Sequence, residues 1–438
     1  MSNLVFEQRR SQVPRSTTAA LARLGSEDVA LCLFISAFAF SPFGWSLALN
    51  PGGNFVPEPV FLVMFCATFT RTRSGQIFRR AFRSTAFRSW AILSFILALI
   101  GVSVHQDVIA AYSDFRCLVL LGFSYAIATD TDPSTKQISQ TWLILMCAAV
   151  ILLNAIGYFL VPVETTSVKF QYPLGALIYL FVYCVLLRPS YMYAGLVIGC
   201  AVFIALTGFY RTNFAVLFAF CLIFVIAFVL RKINSPFKLL LISVIGVPIF
   251  ILALLNYEFV SQEMYNFLSA TPSRYAQTIY KWNQMVQYFD TGHLSEGDEV
   301  RSLYFPYIAD HTLDFFLPGG LGQKVLIDNW GSLWSPEQER MGVGSSKDGG
   351  HLFLAAHFGL VLGAAIIANF SQKLWSSYRM LASMADKAVF GILSGALALY
   401  FLTMGMMFNQ TAAAFGFGAC LGLMTRVGHA LRRSQVNS

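Results

Sequence analysis

Long apolar runs with little charge recur from one end of this chain to the other, and they constrain its fold more than any motif does. A helix needs roughly 20 mainly apolar residues to cross a hydrocarbon layer ~30 Å thick, and within it every backbone polar group must be paired inside the protein. Twelve runs approach that length: Asp28–Leu49, Phe55–Thr70, Trp90–Val104, Val108–Ala128, Thr141–Val163, Leu174–Leu187, Met192–Phe209, Thr212–Leu230, Leu239–Asn256, His351–Phe370, Ala388–Met407 and Ala412–Thr425. The second, third, sixth and twelfth are short for a full span, which predicts tilt or re-entrant geometry there. With 56% hydrophobic and 12% charged residues and a mean hydropathy of +0.62, a soluble globular domain is excluded. The expected fold is an all-α polytopic membrane protein of about 12 transmembrane helices.

One segment breaks the pattern. Tyr257 to Gly349 is polar and aromatic, and it divides the chain into a bundle of about nine helices at 1–256, a partly helical loop at 257–350, and about three helices with a short tail at 351–438. Basic residues collect on the cytoplasmic side of membrane proteins, and Arg and Lys in the short connections place both termini and 21 of the 30 basic residues there. The long loop then lies outside the cytoplasm. The net charge of +8 follows from this bias and from anionic lipid, so it carries no suggestion of nucleic acid. The loop itself holds six basic against twelve acidic residues, which suits one anionic group held at a point rather than a polyanion.

All eight cysteines fall in the apolar runs, so the loop is not stapled by disulfides and must be held by packing. The basic N-terminal tail leads into an apolar run without a small-residue cleavage pattern, and the first span is expected to remain as an anchor. No internal repeat is visible, unlike the related halves of many transporters. Within the loop, Tyr265–Leu268 and Ser273–Phe289 read as helical, the second with Tyr275, Ile279, Trp282, Val286 and Phe289 on one face. Pro318–Gly322 reads as a turn and Gly342–Gly350 as a Gly/Ser-rich lead into the tenth span.

Several side chains have the chemistry for a site. Arg211 sits at the joint of the seventh and eighth spans, and Arg116 lies part-way into the fourth after Asp114. An arginine at membrane depth costs several kcal/mol unless it meets a partner or a polar cavity; the plainer alternative is an anchor reaching lipid phosphate. Arg274 opens the loop helix, and its planar guanidinium fits phosphate oxygens. His351 opens the tenth span, where an imidazole can exchange a proton near neutral pH, although a histidine at a helix start is commonly structural. His357 lies off the face of His351, which argues against a His/His metal pair. No Cys/His cluster, acidic metal motif or phosphate-cradling glycine loop is present, so neither a metal nor another cofactor is expected.

The order of these pieces carries a resemblance. A multi-span bundle, Thr207-Gly208-Phe209-Tyr210-Arg211 opening a span, Ser273-Arg274 followed by Trp282, then Pro318-Gly319-Gly320-Leu321-Gly322, and finally His351-Leu352-Phe353-Leu354 with Gly359 and Gly363, resembles the bacterial O-antigen ligase and Wzy-type polysaccharide polymerase superfamily. The likeness spans Ala205 to Ile367. It implies a GT-C-like architecture with a large periplasmic loop, in the bacterial inner membrane. It further implies that Arg211 and Arg274, with Arg116 as a third candidate, bind the pyrophosphate of an undecaprenyl-linked oligosaccharide, and that His351 is the base. Arg301, Asp310, His311 and Asp348 are additional loop candidates. Where the ligase pattern has Asn after this histidine, this chain has Leu352, which favours the polymerase branch.

The implied reaction needs a base at the acceptor hydroxyl and cations at the departing pyrophosphate, and no cofactor. Expected partners are the lipid-linked glycan, membrane lipids, and the flippase and chain-length or export proteins of the same assembly route. Trp282, Tyr288, Tyr304, Tyr307, Trp330 and Trp334 are candidates for stacking on sugar rings, or for ordinary loop packing. The competing expectations are a ligase that moves finished glycan to a lipid A core or a protein, a lipid-linked oligosaccharide flippase, and a non-catalytic assembly subunit.

Overall fold

The computed structural model describes residues 79–130, 138–160, 172–187, 190–207, 211–232, 308–323, 350–404 and 411–436. Among them every regular element is helical and there is no strand. In chain order the helices are α1 Thr85–His105, α2 Val108–Asp130, α3 Gln140–Leu160, α4 Tyr172–Leu186, α5 Tyr191–Thr207 and α6 Arg211–Lys232. The one-turn α7 Gly350–Phe353, a π turn Leu354–Phe358, α8 Gly359–Met380, α9 Met384–Met404 and α10 Thr411–Val436 complete the series. Four spans among the described residues are long and apolar enough to cross a membrane: Thr85–His105, Val108–Thr129, Gly350–Met380 and Met384–Phe401. The chain is thus a helical membrane-type protein, as its apolar runs predict.

Nine of the twelve runs have a described helix, and the first, second and ninth lie outside the described residues. Of the runs expected to be short, the third is long enough to span, since α1 has 21 residues, whereas the twelfth lies in the 26-residue α10 but its apolar part, Ala413–Gly428, stays short. The sixth stays short, at 15 residues.

Tight connections and small residues bring the helices together. Between α1 and α2 only Gln106 and Asp107 intervene. Gln106 adopts the left-handed conformation (φ 55°) and donates its N–H to Val102 O at 3.0 Å, closing α1, while Asp107 Oδ1 accepts the Ala110 N–H at 2.9 Å, opening α2. α10 lies along α2, where Gly418 and Gly422 let the backbones approach: a Cβ on Gly422 would stand 2.7 Å from Tyr125 O, and one on Gly418 would strike Leu121 O. This is the small-xxx-small contact that apolar helices use where the hydrophobic effect between them is weak.

Aromatic rings fill the remaining space. Phe123 of α2 meets Phe82, Phe87 and Phe415, and Phe181 of α4 stacks on Phe220 of α6 at 4.1 Å. At the far end of α6, Arg231 pairs with Asp386 of α9 at 2.7 Å and also donates to Val185 O, joining three helices. The described cysteines, Cys117, Cys147, Cys184, Cys200, Cys221 and Cys420, are free thiols within the helices.

Candidate functional site

The segment Pro318–Gly322, expected as a turn, does turn at Leu321 and Gly322. It is a non-helical stretch of backbone buried against the helices, with Leu321 fully enclosed and Gly320 and Gly322 buried. It packs on Leu97 and Gly101 of α1 and on Ala111 and Asp114 of α2. Its contacts run from His105 at the end of α1 to Leu97 eight residues earlier, so at 1.5 Å per residue it reaches about 12 Å along the helix. Irregular backbone at such depth is tolerated only where the protein satisfies its polar groups.

The bundle supplies that satisfaction at four consecutive amides. Gly319 N–H donates to Ala356 O at 3.0 Å, Gly320 N–H to His357 O at 3.3 Å, Leu321 N–H to Leu97 O at 2.9 Å, and Gly322 N–H to Asp114 Oδ2 at 2.8 Å. Two carbonyls are met as well: Gly319 O accepts from His105 Nε2 at 3.0 Å and Gly320 O from His357 Nδ1 at 2.7 Å. Glycine is required by the close approach. Gly320 (φ 83°) would place a Cβ 2.6 Å from Gly101 Cα, and Gly322 (φ 86°) would place one 2.7 Å from Ala111 N.

The partner carbonyls are available because the span Gly350–Met380 is broken. In a continuous α-helix Leu360 N–H would bond Ala356 O. Here Gly359 takes φ 75° and bonds Ala355 O, Leu360 N–H turns to Phe315 O at 2.8 Å, and Ala356 O is released to Gly319. One intrahelical bond is thereby replaced by two bonds to the incoming segment. A π turn beside such a break is a common mark of a functional position, and it lies within the tenth span expected at His351–Phe370, which the helices carry from Gly350 to Met380.

At the centre of the seam lie two ionisable groups with no exposure, Asp114 of α2 and His357 of the π turn. His357 Nδ1 faces a carbonyl and so carries hydrogen. Its Nε2 stands 3.8 Å from Asp114 Oδ2, near enough for ion pairing when the ring holds a second proton. The Phe353 ring packs on the imidazole at 4.2 Å, and Trp90 stacks on Phe358 at 5.8 Å while donating to Leu118 O at 2.7 Å. Nearby runs an apolar cleft of about 140 Å³ bounded by Trp90, Leu118, Leu354, Phe370, Phe401 and Phe417.

The expected site residues distribute unevenly around this seam. His351 is the second residue of α7, half-buried, one turn before the π turn. Arg116 is half-buried on α2, two residues beyond Asp114 and therefore on another face of the helix. Arg211 is the first residue of α6; its side chain lies outside the described part. Asp310 is exposed and His311 half-buried where the chain turns toward Phe315, a residue buried beside the seam. Arg274, Arg301 and Asp348 lie outside the described residues, as do the two expected loop helices and the six aromatic residues named for sugar stacking.

Asp114, His357 and His105 were not singled out as site residues by their sequence positions. The signal was present for the first two, since an ionisable side chain inside an apolar run is costly without a partner. The sequence pattern presents His357 only as a metal partner for His351, and Asp114 only as a neighbour of Arg116. Compared with known proteins, the chain matches no family model and no curated sequence.

Proposed function

We propose that this protein is an inner-membrane polysaccharide polymerase of the Wzy type, moving an undecaprenyl-pyrophosphate-linked glycan onto another lipid-linked repeat unit. One observation carries the reading. Pro318–Gly322 and the pieces from His351 to Gly359, both part of the family resemblance and separated by the end of the long loop, meet at one broken helix inside the bundle. Broken helices beside buried polar groups are where membrane proteins place their chemistry.

In this reading about twelve spans surround the seam, both termini are cytoplasmic, and residues 257–350 form a periplasmic loop over it. The acceptor hydroxyl oxygen attacks the anomeric carbon of the donor sugar. His351 takes the hydroxyl proton, the bond from that carbon to the pyrophosphate oxygen breaks, and the electron pair leaves with undecaprenyl pyrophosphate. Configuration inverts. Arg211 and Arg274, with Arg116, steady the charge that grows on the leaving group. The apolar cleft offers the isoprenoid chain of the donor a path beside the seam. Flippase and chain-length or export proteins would supply and receive the chains.

The test is to incubate purified protein in detergent containing EDTA with lipid-linked oligosaccharide from its host. Release of undecaprenyl pyrophosphate together with a ladder of longer glycans is the expected result. Release only on adding a lipid A core or protein acceptor identifies a ligase instead, and no product from a well-folded preparation removes the enzymatic reading.

A further inference from the structure

We infer that Asp114 and His357 are positioning residues: they lock the π turn and the Pro318–Gly322 segment together, and this lock sets the direction in which His351 faces. The kinetic consequence rests on the proposed glycosyl transfer; the geometric one does not.

His357 ties the π turn to the segment and faces α2 as well. Its ring nitrogen holds Gly320 O, its own carbonyl accepts the Gly320 N–H, and its second nitrogen faces Asp114, which in turn holds the Gly322 N–H. The three elements α2, the π turn and the re-entrant segment therefore share one polar knot with no exposure to solvent. Removing one member leaves the others buried with a bond unmade, which costs more than the bond contributes net.

The knot matters for His351 because of helical phase. A π turn closes with i→i+5 bonds and so holds one residue more than the α turn it replaces. If Leu354–Phe358 relaxed to α geometry, everything N-terminal to it would rotate about the helix axis by about 100°, the angle one residue subtends. His351 stands three residues before the π turn and would turn with it. The relaxation is opposed by the bonds that hold Ala356 O and His357 O to Gly319 and Gly320, since these carbonyls must point out of the helix to meet the segment. Phe353, packed on the imidazole at 4.2 Å, transmits the constraint toward His351.

Two readouts independent of turnover test the lock in the intact protein. The first is amide hydrogen exchange. His357→Ala should raise exchange at Gly319–Gly322 about tenfold or more, the factor expected when a local opening loses one buried bond, with α4 and α6 unchanged. His357→Gln, whose side-chain N–H can still donate to Gly320 O, should restore most of the protection. The second is maleimide labelling of a His351→Cys variant, with labelling of the native thiols subtracted. Adding His357→Ala should change its rate at least about threefold, because a rotation of one residue moves a side chain between differently covered faces.

Unchanged exchange at Gly319–Gly322 overturns the lock. Faster exchange with an unchanged labelling rate overturns the positioning of His351 and leaves only a structural tie. If His357→Ala is not monodisperse, Asp114→Asn takes its place: it keeps the volume and an acceptor for Gly322 but removes the carboxylate opposite His357, and wild-type exchange at Gly319 and Gly320 together with wild-type labelling would then reject the proposal. Where wild-type protein makes glycan, His357→Ala should lower kcat far more than it raises KM for the lipid donor, with recovery in His357→Gln. An inactive wild-type protein would reject the proposed function while both geometric readouts still decide the lock.

Discussion

Asp114 and His357 face each other across the seam at 3.8 Å, both without solvent exposure, one from α2 and one from the break in the span Gly350–Met380. Two ionisable groups at that depth persist only when each is held by further polar contacts, and each is: Asp114 by the Gly322 N–H and His357 by Gly320 O. Their joint effect is to make the glycine-rich segment part of the helical core rather than part of the loop.

The first prediction concerns the fit of that segment. Gly320 has φ 83°, a conformation that costs an L-residue about 1–2 kcal/mol, and its missing Cβ is the space occupied by Gly101. Gly320→Ala should therefore lower the thermal transition of the purified protein by several degrees and cut its abundance in the membrane. The control is Gly195→Ala on α5, where a Cβ meets nothing within 4 Å. That change should be neutral or slightly stabilising. Equal stability of the two variants would remove the argument.

A second prediction concerns the contact of α2 with α10. A side chain at Gly418 would strike Leu121 O, a backbone atom that cannot withdraw without moving its helix, and would meet the Ser124 hydroxyl as well. Gly418→Val should force the two helices apart and reduce recovery of folded protein severely, whereas Gly391→Val on α9, where a Cβ meets nothing within 4 Å, should not. Monodispersity after gel filtration distinguishes them.

Much of this fold was legible in the sequence, and the reason is the solvent. Apolar runs report helices because a membrane permits little else, and nine of the twelve runs correspond to described helices whose starts differ by a few residues. Helix ends were less legible, as at α10, which continues past Thr425 through Arg426 to Val436 because charge ends an apolar run without ending helical hydrogen bonding. The site was legible only in pieces. Pro318–Gly322 has the composition of a turn, and nothing local says that its amides are satisfied by Leu97, Asp114, Ala356 and His357, residues far away in sequence. A π turn has no sequence signature, so the release of Ala356 O could not be foreseen, although Gly359 marked a place where φ could become positive.

The third prediction addresses the opposite end of the bundle. Arg231 and Asp386 join α6 to α9 at 2.7 Å with side chains 14% and 28% exposed. A double-mutant cycle of Arg231→Met and Asp386→Asn should give a coupling of about 1 kcal/mol, the upper part of the range for partly exposed pairs. The Arg231→Met single variant should lose more than Asp386→Asn, because Arg231 also donates to Val185 O, which is left without that donor. A coupling indistinguishable from zero would show that the backbone bond alone ties the helices.

The last prediction tests the proposed chemistry by separating binding from proton transfer. Arg211→Ala and Arg274→Ala should each abolish or severely reduce glycan extension while protein abundance stays near normal, since their proposed partner is the substrate pyrophosphate and not another part of the fold. Removal of one preorganised cation from a developing oxyanion typically costs about 10²–10³ in rate. His351→Ala should lower the rate through loss of the general base, a contribution of about 10²–10⁴, with little change in lipid-donor binding. The contrast is decisive because the three side chains are assigned to different atoms of the same reaction. Unchanged extension in both arginine variants rejects the pyrophosphate assignment, and equal loss of binding and rate in His351→Ala makes that histidine a binding or structural residue.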